Sequence, residues 1–166
     1  MYSNLPDFFN DWQEESQLTL SVFTKIDEAA KSVKIKDNLR SLDRLAWHIT
    51  QTLTEMPFRA GILESDVLEN EPVPESIKKI SEIYQYQSNI LAETLKANWQ
   101  DTDLTEIIEV YGEKWEKRKI LSMLIKHQIH HRGQMTAMMR MLEMQVPGTY
   151  GPSKEEWTQY GMSPQE

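Results

Sequence analysis

The segment KWEKRKILSMLIKHQIHHRGQMTAMMRMLEM, residues 114–144, decides the fold. Ile120, Leu121, Leu124, Gln128, His131, Met135, Met138 and Leu142 recur largely at steps of three and four. That repeat gathers side chains on one face of an α-helix. It predicts a long helix over about 114–144 whose inward face is apolar except where an amide and an imidazole interrupt it.

Three further stretches upstream carry the same period. Ile77, Ile80, Ile83, Tyr84, Ile90, Leu91 and Leu95 predict a helix opening at Glu75 or Ser76. Leu42, Leu45, Ala46, Ile49, Leu53 and Met56 predict another, which Pro57 is expected to end or kink. Ser3-Asn4-Leu5-Pro6 reads as a cap with proline in the first turn. With Leu18, Val22, Phe23, Ile26 and Ala30 it predicts a first helix from about Asp7 to Ala30. Lys31–Lys36 is a basic connector, and Glu64–Pro74, acidic and carrying two prolines, is a loop. Trp99–Gly112 is open between a short strand at Ile107–Tyr111 and an irregular crossover. From Val146 the chain holds Pro147, Gly148, Gly151, Pro152, Gly161 and Pro164, a loop-rich tail over 146–166 with at most a short turn. Helices of about 20–30 residues, roughly 30–45 Å long, are the parts of a four-helix bundle. The expectation is an all-α chain, one domain over 1–166, with a crossover and an irregular C-terminal tail.

Composition narrows the function. A chain of 166 residues that is 39% hydrophobic suffices for one core. With 18 basic against 26 acidic residues the net charge is −8, which argues against a nucleic-acid surface. The absence of cysteine excludes disulfides, zinc ribbons, iron–sulfur clusters and a protein thiol nucleophile. Met1–Asp7 lacks a basic region followed by an apolar one, so secretion is not expected. No apolar run approaches the roughly 18–20 residues of a membrane helix. The expected location is cytoplasmic. No nucleophile elbow, P-loop, dinucleotide fingerprint or Glu-x-x-His pair is present. The doublets Glu14-Glu15 and Glu155-Glu156 read as solvated surface, and Lys78-Lys79 and Lys117–Lys119 are too short for a nucleic-acid track.

Histidine is the informative residue. His127 and His131, four apart, fall one turn above the other on the face that carries Leu124, Met135 and Met138. His48, between Leu45 and Ile49, lies at the margin of another apolar face. Three imidazoles from two helices can therefore meet inside the bundle. Core histidines held by hydrogen bonds are the plain alternative. Several buried imidazoles without a carboxylate at nearby helical positions leave ring nitrogens unsatisfied, and a divalent cation would satisfy them.

His127-Gln128-Ile129-His130-His131-Arg132-Gly133-Gln134-Met135, with His48 in Leu45-Ala46-Trp47-His48-Ile49, resembles the DinB family. The likeness extends to Tyr111–Trp115 and Val146–Trp157, and so over most of the chain. The wider superfamily is similar to the bacillithiol and mycothiol S-transferases and to the mycothiol-dependent maleylpyruvate isomerase. The resemblance implies a four-helix bundle, often a homodimer, with one divalent metal on His48, His127 and His131, and His130 beside them or exposed. Some members are named as DNA damage-inducible, which says nothing of DNA binding.

Three protein ligands leave a position open, the mark of a catalytic site. Imidazole accepts Zn, Ni, Fe or Mn, with Zn or Ni the first expectation. Such an ion can activate water, making a hydrolase, or hold the thiolate of a low-molecular-weight thiol co-substrate for transfer to a small molecule. A non-catalytic bundle for dimerisation or partner binding is the third reading. Gln51 and Glu55, three and seven residues after His48, are candidates for orienting a ligand or carrying a proton; for Glu55 a solvated helix edge is the competing reading. Arg132 and Gln134 are expected to point elsewhere as structural residues bonding the tail or a dimer partner, Arg132 toward a carboxylate or loop carbonyls. Tyr84 and Tyr111 have no assigned place. The methionines between Met123 and Met144 read as adaptable core or helix interface.

Overall fold

Asn4 and Ser76 each start a helix by accepting, through the side chain, the backbone N–H of the residue three ahead, Asp7 at 2.9 Å and Lys79 at 3.1 Å. The computed structural model describes residues 1–164 and contains α1 (Leu5–Thr24), α2 (Leu42–Arg59), α3 (Ile77–Asn98) and α4 (Lys117–Met141). Between α3 and α4 lie a 3-10 turn (Asp101–Thr105) and an antiparallel hairpin of β1 (Ile107–Val110) and β2 (Glu113–Glu116). The tail holds one 3-10 turn, Trp157–Tyr160. Residues 165 and 166, the end of the expected tail, lie outside the described residues.

The fold is all-α apart from the hairpin. Helix α1 packs against α3 and α4, and α2 packs against the same two. Consecutive helices α1 and α2 therefore face each other across the bundle, and the segment 25–41 is the crossover between them. Phe8, Trp12, Phe23, Trp47, Leu53, Tyr84, Leu91, Ile120, Leu124 and Met135 are among the residues that close the core. Each large apolar side chain so buried contributes about 1.5–3 kcal/mol.

Helices α1 and α4 depart from the sequence-based expectation. Helix α1 stops at Thr24, not Ala30, because the Asp27 carboxylate accepts the Ala29 N–H at 2.9 Å and turns the chain. Pro57 lies inside α2, which ends two residues later as the Pro57 carbonyl accepts from Ile62 and Leu63. Residues 114–116 are strand rather than helix, and the opening of α4 is displaced to Lys117. At its other end Glu143, at φ 58°, adopts the left-handed conformation, and the Met144 N–H reaches back to the Met139 carbonyl at 2.9 Å. The open region resolves into the hairpin, whose two-residue turn sets both Tyr111 and Gly112 at positive φ.

The crossover is pinned at its middle. Glu28 accepts the Ile77 N–H at 2.6 Å and pairs with Lys31 at 2.7 Å. The Lys31 carbonyl accepts the Asp43 N–H, and the Asp43 carboxylate accepts the Ser32 hydroxyl at 2.6 Å. These contacts deliver Leu39 and Arg40 to the mouth of the bundle beside α2.

Glu15 corrects the reading of Glu14-Glu15 as solvated surface. It is buried and paired with the buried Arg132 of α4. The Tyr150 hydroxyl donates to the Glu15 carboxylate at 2.8 Å, and Arg132 also donates to the Glu15 carbonyl at 2.7 Å. Helices α1 and α4 and the tail thus meet at one ion pair. Among the described residues no helix is long and apolar enough to cross a membrane.

Candidate metal centre

Helix α2 presents His48 and helix α4 presents His127 and His131, and one ring nitrogen from each comes within 4.8 Å of the other two. The His48 ring sits edge-on to both partners, with centroids 5.0 Å from His127 and 4.7 Å from His131. The Nε2 atoms of His127 and His131 are 3.1 Å apart. Helical spacing produces the pair on α4, and the packing of α2 on α4 supplies the third ring.

The outer contact of His131 places its proton. Nδ1 of His131 is 2.7 Å from Oε1 of Gln134. An amide oxygen only accepts, so Nδ1 is the protonated nitrogen and Nε2 carries the lone pair. Thr52 gives its hydroxyl hydrogen to the Ile49 carbonyl at 2.7 Å, so its oxygen faces Nδ1 of His127, 3.5 Å away, as an acceptor. Nε2 of His131 is then an acceptor: it takes a hydrogen bond from His127 when that ring is protonated at Nε2, and with the His127 proton on Nδ1 both Nε2 lone pairs are free for a shared cation.

The cluster resists extra protons. Burial first, then repulsion from neighbouring cationic groups, pulls His48 and His127 down to about 4, and burial lowers His131 as well. Among the described residues, the charged groups acting on the three rings are one another, His130, Arg40 and Arg44, with no carboxylate among them. A divalent cation fits this donor set. Two nitrogens bound to one tetrahedral zinc, each about 2.0–2.1 Å from it, stand about 3.3 Å apart.

The remaining candidates fall around this cluster. His130 is exposed, with its ring 4.9 Å from that of His131, and its Nε2 accepts from the Gln134 amide at 3.2 Å. Gln51 donates to the Leu68 carbonyl at 2.9 Å, and Glu55 accepts the Tyr111 hydroxyl at 2.8 Å. Neither of these bonds goes to the histidines. Tyr84 is wholly buried and donates to Gln128, away from the three rings. Gln134, expected to point elsewhere, instead holds His131. It and Thr52 were missed, although each lies one turn beyond a proposed ligand, at His131 plus three and His48 plus four.

A cleft of about 400 Å³ opens beside the cluster, with His131 in its wall and Leu39, Arg40, Leu45, Met138 and Met141 around it. Another, of about 470 Å³, lies against Trp47, Pro72 and Tyr86 and holds none of the histidines.

Comparison with known proteins agrees with this architecture. A model of the DinB family matches residues 1–166. The Bacillus subtilis (strain 168) protein YrdA, described as uncharacterized, is 33% identical over 162 residues, covering 98% of this chain and 97% of its own. The crystal structure of a DinB-like protein from Bacillus cereus ATCC 10987 is 32% identical with a TM-score of 0.80, covering 89% of this chain and 99% of its own. A second DinB-like structure, YjoA of Bacillus subtilis, shares the fold at 17% identity and a TM-score of 0.68, covering 86% of this chain and 96% of its own.

Proposed function

The chain belongs to the DinB family, and from that premise we propose that it is a metal-dependent S-transferase, using a low-molecular-weight thiol and a divalent cation held by His48, His127 and His131. The observation that carries the metal part is the convergence of one ring nitrogen from each of the three histidines within 4.8 Å, with the Nε2 atoms of His127 and His131 3.1 Å apart. When bound, the ion supplies the positive charge that keeps a small thiol in its thiolate form near neutral pH.

The protein's own residues do the rest by placement. Gln134 holds His131 in the tautomer that offers Nε2, and the Thr52 hydroxyl lies 3.5 Å from Nδ1 of His127, on the side away from the ion. Leu45, Met138 and Met141 give the cleft beside the centre its apolar wall. The thiol's proton goes to solvent. The sulfur then forms a bond to an electrophilic carbon as the leaving group departs with the electron pair of the bond that breaks. Because the chain has no cysteine, the sulfur must arrive with the co-substrate.

The surroundings favour this over a hydrolase. Water-based hydrolysis is helped by a positioned acid or base. The charged groups acting on these rings are guanidiniums and other imidazoles, while Glu55 is engaged with Tyr111 and Arg59. A homodimer in the cytoplasm belongs to the same reading, and sedimentation of the full chain decides the dimer.

The test is thiol titration of the cobalt-loaded protein. Small thiols should change its visible spectrum at one equivalent, and the loaded protein should transfer them to an electrophile. Turnover of esters or amides without any thiol would replace this reading with the hydrolase.

A further inference from the structure

Arg40 and Arg44 have no part in the centre as described, yet their situation is unusual for this chain. Arg59, Arg118, Arg132 and Arg140 each face a glutamate. Among the described residues, the guanidiniums of Arg40 and Arg44 have neither an ion pair nor a hydrogen bond. Among the described residues of a chain with 26 acidic ones, the two arginines without a carboxylate are the two whose charges act on His48. Arg40 also lines the cleft that His131 opens into. Asp43, between them in sequence, is turned away: its carboxylate accepts from Ser32, Ser41 and the Arg44 backbone N–H.

The walls add the second half of the argument. Leu39, Leu45, Met138 and Met141 make the cleft largely aliphatic, and Arg40 is the one cation in its lining. A single planar guanidinium matches one carboxylate through two parallel hydrogen bonds. An apolar cleft with one convergent charge orients a ligand that is aliphatic at one end and anionic at the other.

We infer that the small-molecule substrate of this site carries a carboxylate, with Arg40 binding the carboxylate and the walls of Leu39, Leu45, Met138 and Met141 covering an aliphatic body. This deepens the functional reading above and rests on it. Arg40 is then a specificity-determining residue for the molecule that meets the centre.

The experiment is calorimetric titration of the full chain, both zinc-loaded and metal-free, with hexanoate and with its neutral counterpart hexanamide. Wild type is compared with Arg40→Ala and Arg40→Lys, and zinc stoichiometry is measured on each. Metal-free wild type should prefer hexanoate. Arg40→Ala should weaken hexanoate about fivefold and leave hexanamide unchanged, as for a charge pair open to solvent. Arg40→Lys should recover part of the loss, and rising ionic strength should shrink the preference. Equal binding of the two probes, binding of neither, or an equal loss of both in Arg40→Ala overturns the inference. Inorganic phosphate displacing hexanoate with the same Arg40 dependence overturns the carboxylate in favour of phosphate. Normal zinc uptake with binding blind to charge defeats this inference alone. Failure to take up zinc defeats the metal reading, while the metal-free comparison still judges Arg40.

Discussion

Gln134 accepts a hydrogen bond from His131 at 2.7 Å, and this contact, one helical turn long, determines which nitrogen of the imidazole is free to bind. Gln134 is exposed and contributes little to the core, so its effect is separable from folding. Gln134→Leu should leave the helices intact and weaken zinc about 10–100-fold, the range for losing a partner that orients a metal ligand. Gln134→Glu, which keeps an acceptor, should recover most of that affinity. Competition with a chelating dye measures both.

The metal-free protein should lose stability in mild acid. His48 and His127 stay neutral in the fold down to about 4, whereas an unfolded histidine titrates near its ordinary value of about 6.5. Between those values the unfolded chain binds more protons, so stability falls as pH drops from about 6.5 toward 4 and is unaffected above. Thermal midpoints measured across that window should decline in wild type and decline less steeply in His127→Gln.

Arg132 and Glu15 are predicted to matter to the fold rather than to chemistry. Arg132→Met leaves the Glu15 carboxylate buried without its partner, a change that costs about 3–5 kcal/mol. Tyr150→Phe removes one hydroxyl from the same group and should cost about 1 kcal/mol. The double variant Glu15→Gln with Arg132→Met should regain part of the loss. Urea unfolding provides the three values.

Glu143 marks a position where the chain is not at its most stable. It ends α4 at φ 58°, a conformation that glycine adopts without steric cost. Glu143→Gly should stabilise the protein by up to about 1 kcal/mol, or a rise of about 2–4 °C in Tm.

How much of this could be read beforehand depended on how far apart the interacting residues lie. The helices announced themselves through Leu124, Met135, Leu53 and Leu91, because a repeat of three and four is a local signal of an inward helical face. The gathering of His48 with His127 and His131 followed from their place on inward faces. The hairpin was obscure because four-residue strands give too short a period, and because Tyr111 occupies a turn position that usually calls for asparagine or glycine. Glu15 looked solvated beside Glu14, since the residue that buries it, Arg132, is 117 positions away. Arg40 precedes its helix and reaches the cleft only through the crossover anchored at Glu28, Lys31 and Asp43. Gln134 and Thr52 were legible in principle, as the acceptors one turn beyond His131 and His48.

The central claim is that three imidazoles hold one divalent ion, and metal content tests it most directly. The full chain, purified without a histidine tag and offered zinc or nickel, is analysed for metals beside His131→Ala of unchanged helicity. The account predicts close to one equivalent in the wild type and little in the variant. No metal in either, or equal metal in both, would contradict it.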